Sequence, residues 1–347
     1  MNNKRPTIAT VAEHARLSVA TVDRVLNARA PVNAETADRV FQSATAVGYF
    51  AARLIGQRIR EQRPSYRFGI LLLGTAQAFY ANLAQAISTA AGRQQNASLS
   101  CHFDYVIDRS PTAVAAQIRA MAGQCDGLAV VSFAHPQVSD AIAQARADGT
   151  AVVALLSEIE EDSAEPYVGL DNAEVGRTMG WLLAHTCPSR QGSIGILLGG
   201  HRFIGHQRRV EALCAYLQTH APGLRVLEPV INLDNNDVTE EATLELISRF
   251  DDLRGLCVVG GGGDGIISAL RQLPERPALC SVLLESTELS RQALRDGLIT
   301  LVVDSQPRQV AEALVTLLVQ LQDGQAFDPA RHRVRVPLQI MTSENVR

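Results

Sequence analysis

The sequence predicts a small all-α headpiece followed by a large α/β core of parallel sheets, and three observations carry that expectation. Near the N-terminus, Ile8, Val11, Ala12 and Ala15 recur at the spacing of one buried helix face, and Val22, Val25 and Leu26 begin a second. From Tyr66 onward, short β-branched apolar runs alternate with helix-length segments, the pattern of repeated βα units. Charge divides at the same place. The 347-residue chain carries −4 overall, but residues 1–63 hold ten Lys or Arg against five Asp or Glu, a head of +5 before a body of −9. Such asymmetry is the footprint of a nucleic-acid module fused to something that does not bind nucleic acid.

Thr7 to Asn27 reads as two short helices around a turn. Ser18 stands at the N-cap of the second, where its hydroxyl can accept from free backbone amides, and Arg16-Leu17 form the turn with Leu17 tucked between the helices. In a helix-turn-helix the second helix enters the major groove with its first turn toward base edges, which makes Val19, Ala20 and Arg24 the candidate readers. Arg24 can donate two hydrogen bonds to a guanine edge or hold a phosphate. Val19 and Ala20 offer apolar contact, suited to a thymine methyl.

The pattern T-I-x-x-V-A-x-x-A-x-L-S-x-x-T-V-x-R-V-L-N, here Thr7 to Asn27, resembles the headpiece of the LacI/GalR family of bacterial transcription regulators. The resemblance implies a three-helix DNA-binding domain (1–50), a hinge or linker (51–65) and a periplasmic-binding-protein-like core (66–347) of two similar parallel-sheet lobes. Lobe 1 would take about 66–170 plus 305–325, and lobe 2 about 171–304 plus 326–347. It also implies a homodimer on a pseudo-palindromic operator in double-stranded DNA, with a small effector, a sugar, sugar alcohol or cyclitol, in the cleft. Thr7, Ser18, Thr21, Asp23 and Asn27 join the three readers as DNA-binding candidates. The motif departs from the family twice. Arg16 replaces a turn glycine, so the turn is either non-glycine in conformation or strained. Asp23 replaces serine and should weaken binding unless it pairs with Arg24 or accepts from a cytosine amine.

A third helix should follow Asn33 as its N-cap and bury Ala37, Val40, Phe41, Ala44 and Val47, with Arg29 in the preceding loop on a phosphate. The next run, FAARLIGQRIREQRP, corresponds in family terms to a hinge helix in the minor groove. Leu54 and Ile55 could form its apolar wedge, although Gly56 costs about 1 kcal/mol of helix stability relative to alanine. A solvated basic linker ending at Pro64 is the alternative, and Arg53, Arg58 and Arg60 would contact phosphates in either case.

In the body, RFGILLL, LAVVSF, AVVALL, SIGILLG, GLCVVG, ALCSVLL and ITLVVD read as parallel strands buried on both faces. Nine helical segments lie among them, and two lobes joined by crossovers near Tyr167–Asn172 and Val303–Pro307 would accommodate the units. Ligands of open parallel sheets bind beyond the carboxyl ends of the strands. The effector-binding candidates are therefore Phe79, Tyr80, Ser132, His135, Ser157, Glu158, His206, Arg209, Asp264, Glu285 and Gln306. An aromatic face and planar charged groups suit a polyhydroxylated ligand. In family terms Arg209 would grip a ligand oxygen, against the alternative of a helix-surface arginine. Asp264 and Glu285 could equally be N-caps of the helices that follow. Trp181, mid-helix, reads as core.

A different class of function competes at VVGGGGDGIISAL. Gly260, Gly262 and Gly265 satisfy G-x-G-x-x-G after a strand, with Glu285 twenty residues beyond, so an NAD(P)-dependent enzyme using the GGGGDG loop is the alternative. The motif comes late in the chain, however, and no catalytic His, Lys, Tyr or Cys constellation accompanies it. The expectation is a repressor without catalytic residues, cofactor or metal. The six cysteines lack C-x-x-C spacing and read as small hydrophobes in a reducing compartment. With no apolar h-region and no bilayer-length apolar run, a cytoplasmic, membrane-free protein is expected.

Overall fold

A computed structural model describes residues 5–27, 32, 34–61, 63–74, 78–160, 165–324 and 328–346. Arg29 and Asn33 fall outside these residues, as do the side chains of Arg58 and Arg60. The chain divides into two compact units, the first covering the N-terminal helices to Tyr66 and the second nearly all of the remainder.

In the N-terminal unit, α1 (Ile8–Ala15), α2 (Val19–Asn27), α3 (Ala34–Ala46) and α4 (Ala52–Glu61) share one core. Val11, Ala12, Val22, Val25, Leu26, Val40, Ala44 and Tyr49 fill it, and Ile55 of α4 lies among them at 1% exposure. The segment expected as a hinge or linker is thus, over Ala52–Glu61, a helix of the headpiece itself. Gly56 explains the close approach: a Cβ there would stand 2.6 Å from the Phe41 ring.

In the body, β1 (Ser65–Leu73), α5 (Ala78–Arg93), β2 (Ser98–Val106), α6 (Pro111–Ala122), β3 (Gly127–Val130), α7 (Pro136–Ala147), β4 (Ala151–Leu155) and β5 (Tyr167–Gly169) build the first lobe. The second follows with α8 (Asn172–Thr186), β6 (Gly192–Leu198), α9 (Ile204–His220), β7 (Leu224–Val226), β8 (Val230–Ile231), α10 (Asn236–Arg249), β9 (Leu253–Val258), α11 (Asp264–Gln272), β10 (Cys280–Leu284), α12 (Glu288–Arg295) and β11 (Leu301–Asp304). Then α13 (Pro307–Gln322) returns to pack on β3, β4 and β5, and α14 (Pro329–His332), β12 (Arg333–Arg335) and β13 (Gln339–Met341) finish the chain. The sheet orders are β12-β5-β4-β3-β1-β2 and β13-β11-β10-β9-β6-β7, with β8 on β6. All pairings described between strands are parallel except β11 with β13.

The chain therefore passes between the sheets three times, after β5, after β11 and between β12 and β13. The third passage corrects the expected division, which gave 326–347 wholly to lobe 2. Arg333 pairs with Tyr167 and Arg335 with Gly169, so β12 extends the first sheet, and only β13 belongs to the second. Trp181 is also corrected. It is 47% exposed on α8 and stacks on His185 with ring centroids 4.4 Å apart.

Candidate functional site

At the head, the burial of Val22, Val25 and Leu26 leaves the other face of α2 in solvent. Val19 is 52% exposed there, and Ala20, Arg24 and Asn27 are exposed beside it. Ser18 Oγ accepts from the Thr21 amide at 3.1 Å and meets Thr21 Oγ1 at 2.8 Å, which closes the first turn of α2. Thr7 likewise caps α1 in a reciprocal arrangement with Thr10, so its hydroxyl is already engaged. Arg16 ends α1 with φ +53° and ψ +45°, the left-handed conformation that glycine adopts without penalty. The chain accepts about 1–2 kcal/mol of strain at that turn. Asp23 has a partner that sequence reasoning missed: Asn27 Nδ2 donates to its Oδ1 at 2.7 Å. On α4, Arg53 and Leu54 are exposed, but Ile55 is not available as a wedge because it is core.

The body holds a cavity between its lobes, at the carboxyl ends of the strands. Of the expected effector residues it brings together Phe79, Tyr80, Ser157, His206, Arg209, Asp264 and Glu285. Four others are placed elsewhere. Ser132 is fully buried outside the lining, and His135 caps α7, its Nδ1 accepting from the Gln137 amide at 3.3 Å. Glu158 lies under an ion network with Arg208 and Arg333 and accepts from Asn172 Nδ2 at 3.1 Å, which makes it a brace of the crossovers. Gln306 donates to the Pro337 carbonyl at 2.7 Å, joining two crossovers, and its neighbour Ser305 reaches the cavity instead.

Arg209 is 6% exposed. Its Nε donates to Asn172 Oδ1 at 2.8 Å and its Nη1 to the Val259 carbonyl at 2.7 Å, while Nη2 has no partner among the described residues. A side chain held on two sides and open on the third presents a fixed donor to whatever fills the cavity. Both alternatives to a lining role fail for the acids. The cap of α12 is Thr287, not Glu285, and Gly263 stands at the cap position before Asp264. Asp264 Oδ1 accepts from Thr287 Oγ1 at 2.8 Å, and Glu285 Oε2 accepts from Ser305 Oγ at 2.6 Å. The other oxygen of each carboxylate makes no hydrogen bond among the described residues.

Burial sets the electrostatics. It pushes the Glu285 carboxyl up to about 7, with Asp304 adding repulsion and Ser305 and Arg209 opposing. His206 is pushed down to about 4 by burial, against the pull of Asp234, and so is neutral near pH 7; its Nδ1 is buried without a partner. Burial also raises the Tyr80 phenol and the Asp264 carboxyl. Sequence reasoning missed Asp234, Thr287 and Ser305, all in the lining. Asp234 follows the two-residue strand β8 with φ +55° and accepts from the Gly261 amide at 2.8 Å, a position no apolar run announces.

The glycine loop is accounted for by the chain's own packing. Gly262 has φ +87°, and a Cβ there would lie 2.6 Å from Thr239 Oγ1. A Cβ on Gly265 would overlap the Asn236 carbonyl, and one on Gly260 would lie 2.7 Å from the His206 ring. These glycines let β9 and α11 approach α10 and α9, and that use needs no pyrophosphate. Among the described residues no group of three or more His, Cys, Asp or Glu could hold a metal ion, and no helix is long and apolar enough to cross a membrane.

The periplasmic binding protein domain family matches residues 68–326. The HTH-type transcriptional regulator GalS of Salmonella typhimurium is 30% identical over 247 residues, covering 70% of this chain and 68% of the relative. The ribose operon repressor of Halalkalibacterium halodurans is 31% identical over 103 residues, 30% of each chain. Among solved structures, GanP, a glucose-galactose binding protein from Geobacillus stearothermophilus, superposes with a TM-score of 0.72 at 13% identity, over 82% of this chain and 99% of that one. A solute binding protein from Agrobacterium vitis bound with alpha-D-tagatopyranose gives 0.72 at 17% identity, over 81% and 96%. At these identities the structural likeness speaks for the fold.

Proposed function

This chain belongs to the LacI/GalR family of transcription regulators, and from that premise we propose that it is a sequence-specific DNA-binding repressor controlled by a small polyhydroxylated effector. The observation that carries the reading is the union in one chain of an uncovered α2 face, on a head of net charge +5, with a two-lobed cavity around Arg209. Val19, Ala20 and Arg24 would read bases, Ser18, Thr21 and Asn27 would flank them, and Arg53 would hold a phosphate. Two such heads, presented by a homodimer in the cytoplasm, would read the halves of a pseudo-palindromic operator.

In the cavity, Arg209 Nη2 donates to a ligand oxygen while Asp264 and Glu285 accept from vicinal hydroxyls, and Phe79 offers a ring face. A sugar, sugar alcohol or cyclitol fits that mixture of donors, acceptors and aromatic surface. The relatives add weight, since GalS is named as a transcriptional regulator and the Agrobacterium vitis protein holds a pyranose. No reacting group is required. Binding that favours one arrangement of the lobes would change operator affinity by the differential, about 1–3 kcal/mol or five- to 150-fold.

Selection of operators from a random duplex pool, followed by titration, tests the DNA half. Arg24→Ala is expected to lose discrimination among sequences, whereas Arg53→Ala should weaken all duplexes alike and flatten the salt dependence. An Arg24→Ala protein with unchanged sequence preference would remove α2 from the reading role. A thermal-shift panel of sugars and polyols tests the other half, because a ligand at 100 times its Kd stabilises by about 2.7 kcal/mol.

A further inference from the structure

Cys187 and Cys280 are ninety-three residues apart in sequence and lie side by side in the second lobe. Two observations place them together. Thr186 Oγ1, one residue from Cys187, lies 2.9 Å from Cys280 Sγ. Cys280 is the strand partner of Gly255 across the parallel β9–β10 pair, and Cys187 Sγ lies 3.1 Å from where a Cβ on Gly255 would stand. Paired residues of a parallel sheet share a face, so the glycine leaves the space that Cys187 occupies beside Cys280. All six cysteines are free thiols.

We propose that Cys187 and Cys280 form a reversible redox site, a dithiol that a hydroperoxide converts to a disulfide. The two sulfurs differ in setting. Cys187 is half-buried at the end of α8, and Cys280 is 1% exposed at the start of β10. The neighbouring Cys187 thiol holds Cys280 below the ordinary thiol range, Thr186 and Thr300 add to it, and burial opposes. The same neighbour, with burial, holds the Cys187 thiol up. The negative charge of the pair therefore starts on Cys280, and Cys187 carries it when its proton passes to Cys280.

The steps balance. The Cys187 thiolate attacks one oxygen of the peroxide, breaking the O–O bond and giving a sulfenic acid and hydroxide, which takes up the proton released by the pair. The Cys280 sulfur then attacks Cys187 Sγ, the S–O bond breaks, and its oxygen leaves as water with the Cys280 proton. Overall two thiols and one hydrogen peroxide become one disulfide and two waters. The bond ties the last turn of α8 to the start of β10, on the helix whose first residue, Asn172, holds Arg209.

The test oxidises the full-length reduced protein with hydrogen peroxide, alkylates it under denaturing conditions and maps the peptides by mass spectrometry. The expected result is one crosslinked peptide pair containing Cys187 and Cys280, loss of two of the six alkylatable thiols, and their return with dithiothreitol. Cys187→Ser and Cys280→Ser should each abolish the crosslink. Retention of all six thiols, oxidation of Cys187 to a sulfinic acid without a crosslink, or a crosslink to the nearby Cys257 would overturn the assignment. Those readings come from the wild-type chain and stand even where a variant folds poorly.

Discussion

Glu285 is a carboxyl group in a poor place for a charge, and its titration gives the clearest prediction at the scale of single residues. Its folded value of about 7 lies above the ordinary 4.5, so the folded state binds the proton more tightly than the unfolded chain. That contribution to stability is fully present below about 4.5 and is lost as the pH rises through 7. Glu285→Gln, which cannot ionise, should therefore gain stability relative to wild type between pH 4.5 and 8, by about 2–3 kcal/mol across the interval. Chemical denaturation of both proteins at several pH values checks it, and a pH-independent gap would mean that the carboxyl titrates normally. His206 pulls the other way, since its depressed value removes stability as the pH falls from 6.5 to 4, but it is common to both proteins and cancels. A carboxylate at the end of a strand was visible in the sequence as a candidate; its burial against Asp304 was not, because that neighbour comes from another strand.

Among the elements, α4 carries the sharpest division of labour. Leu54 and Ile55 are adjacent apolar residues with the same apparent eligibility as a wedge, yet one is 48% exposed and the other 1%. Ile55→Ala should cost the N-terminal unit about 2–4 kcal/mol, as for other buried isoleucines, while Leu54→Ala should leave its stability within about 0.5 kcal/mol. Hydrogen exchange of the α1–α3 amides reads the difference, and equal effects would contradict the burial of Ile55. Gly56 was legible only as a helix weakener, because the Phe41 ring it admits comes from another helix. Helices and buried parallel strands announced themselves through periodicity and apolar runs: Ile70, Leu71 and Leu72 of β1 are all fully buried. Strand β2 did not. Its alternating, half-polar pattern SLSCHFDYV is that of a sheet edge, and the three-residue strands β5, β7, β12 and β13 are too short to carry a period. The end of the chain was misassigned for the same reason, since nothing in RVR says which sheet it joins.

For the whole molecule, the proposed function depends on two lobes that can close on a ligand. Besides the crossovers, the lobes are joined around the cavity by the Ala134 amide donating to the Arg202 carbonyl at 3.0 Å and by the Gly205 amide donating to Ser157 Oγ at 3.1 Å. Arg109 adds a clasp, reaching Asp234 Oδ2 at 3.4 Å and the Leu233 carbonyl at 3.3 Å. Arg109 stands outside the lining and holds the lining residue Asp234 from the other lobe, so Arg109→Gln should weaken effector binding by about 1–2 kcal/mol, five- to thirtyfold in Kd. Calorimetric titration with an effector identified by thermal shift would show it; an unchanged Kd would mean that the clasp does not favour the closed form. The division between cationic head and acidic body was legible from charge alone, whereas the clasp joins residues 125 positions apart and left no trace in the sequence. The most direct measurement of the central claim is the affinity of the full-length chain for its selected operator, with and without saturating effector. The account predicts an operator preferred over random duplex and a five- to 150-fold change when the cavity is filled. An affinity for that operator no greater than for random sequence, or one indifferent to the effector, would contradict it.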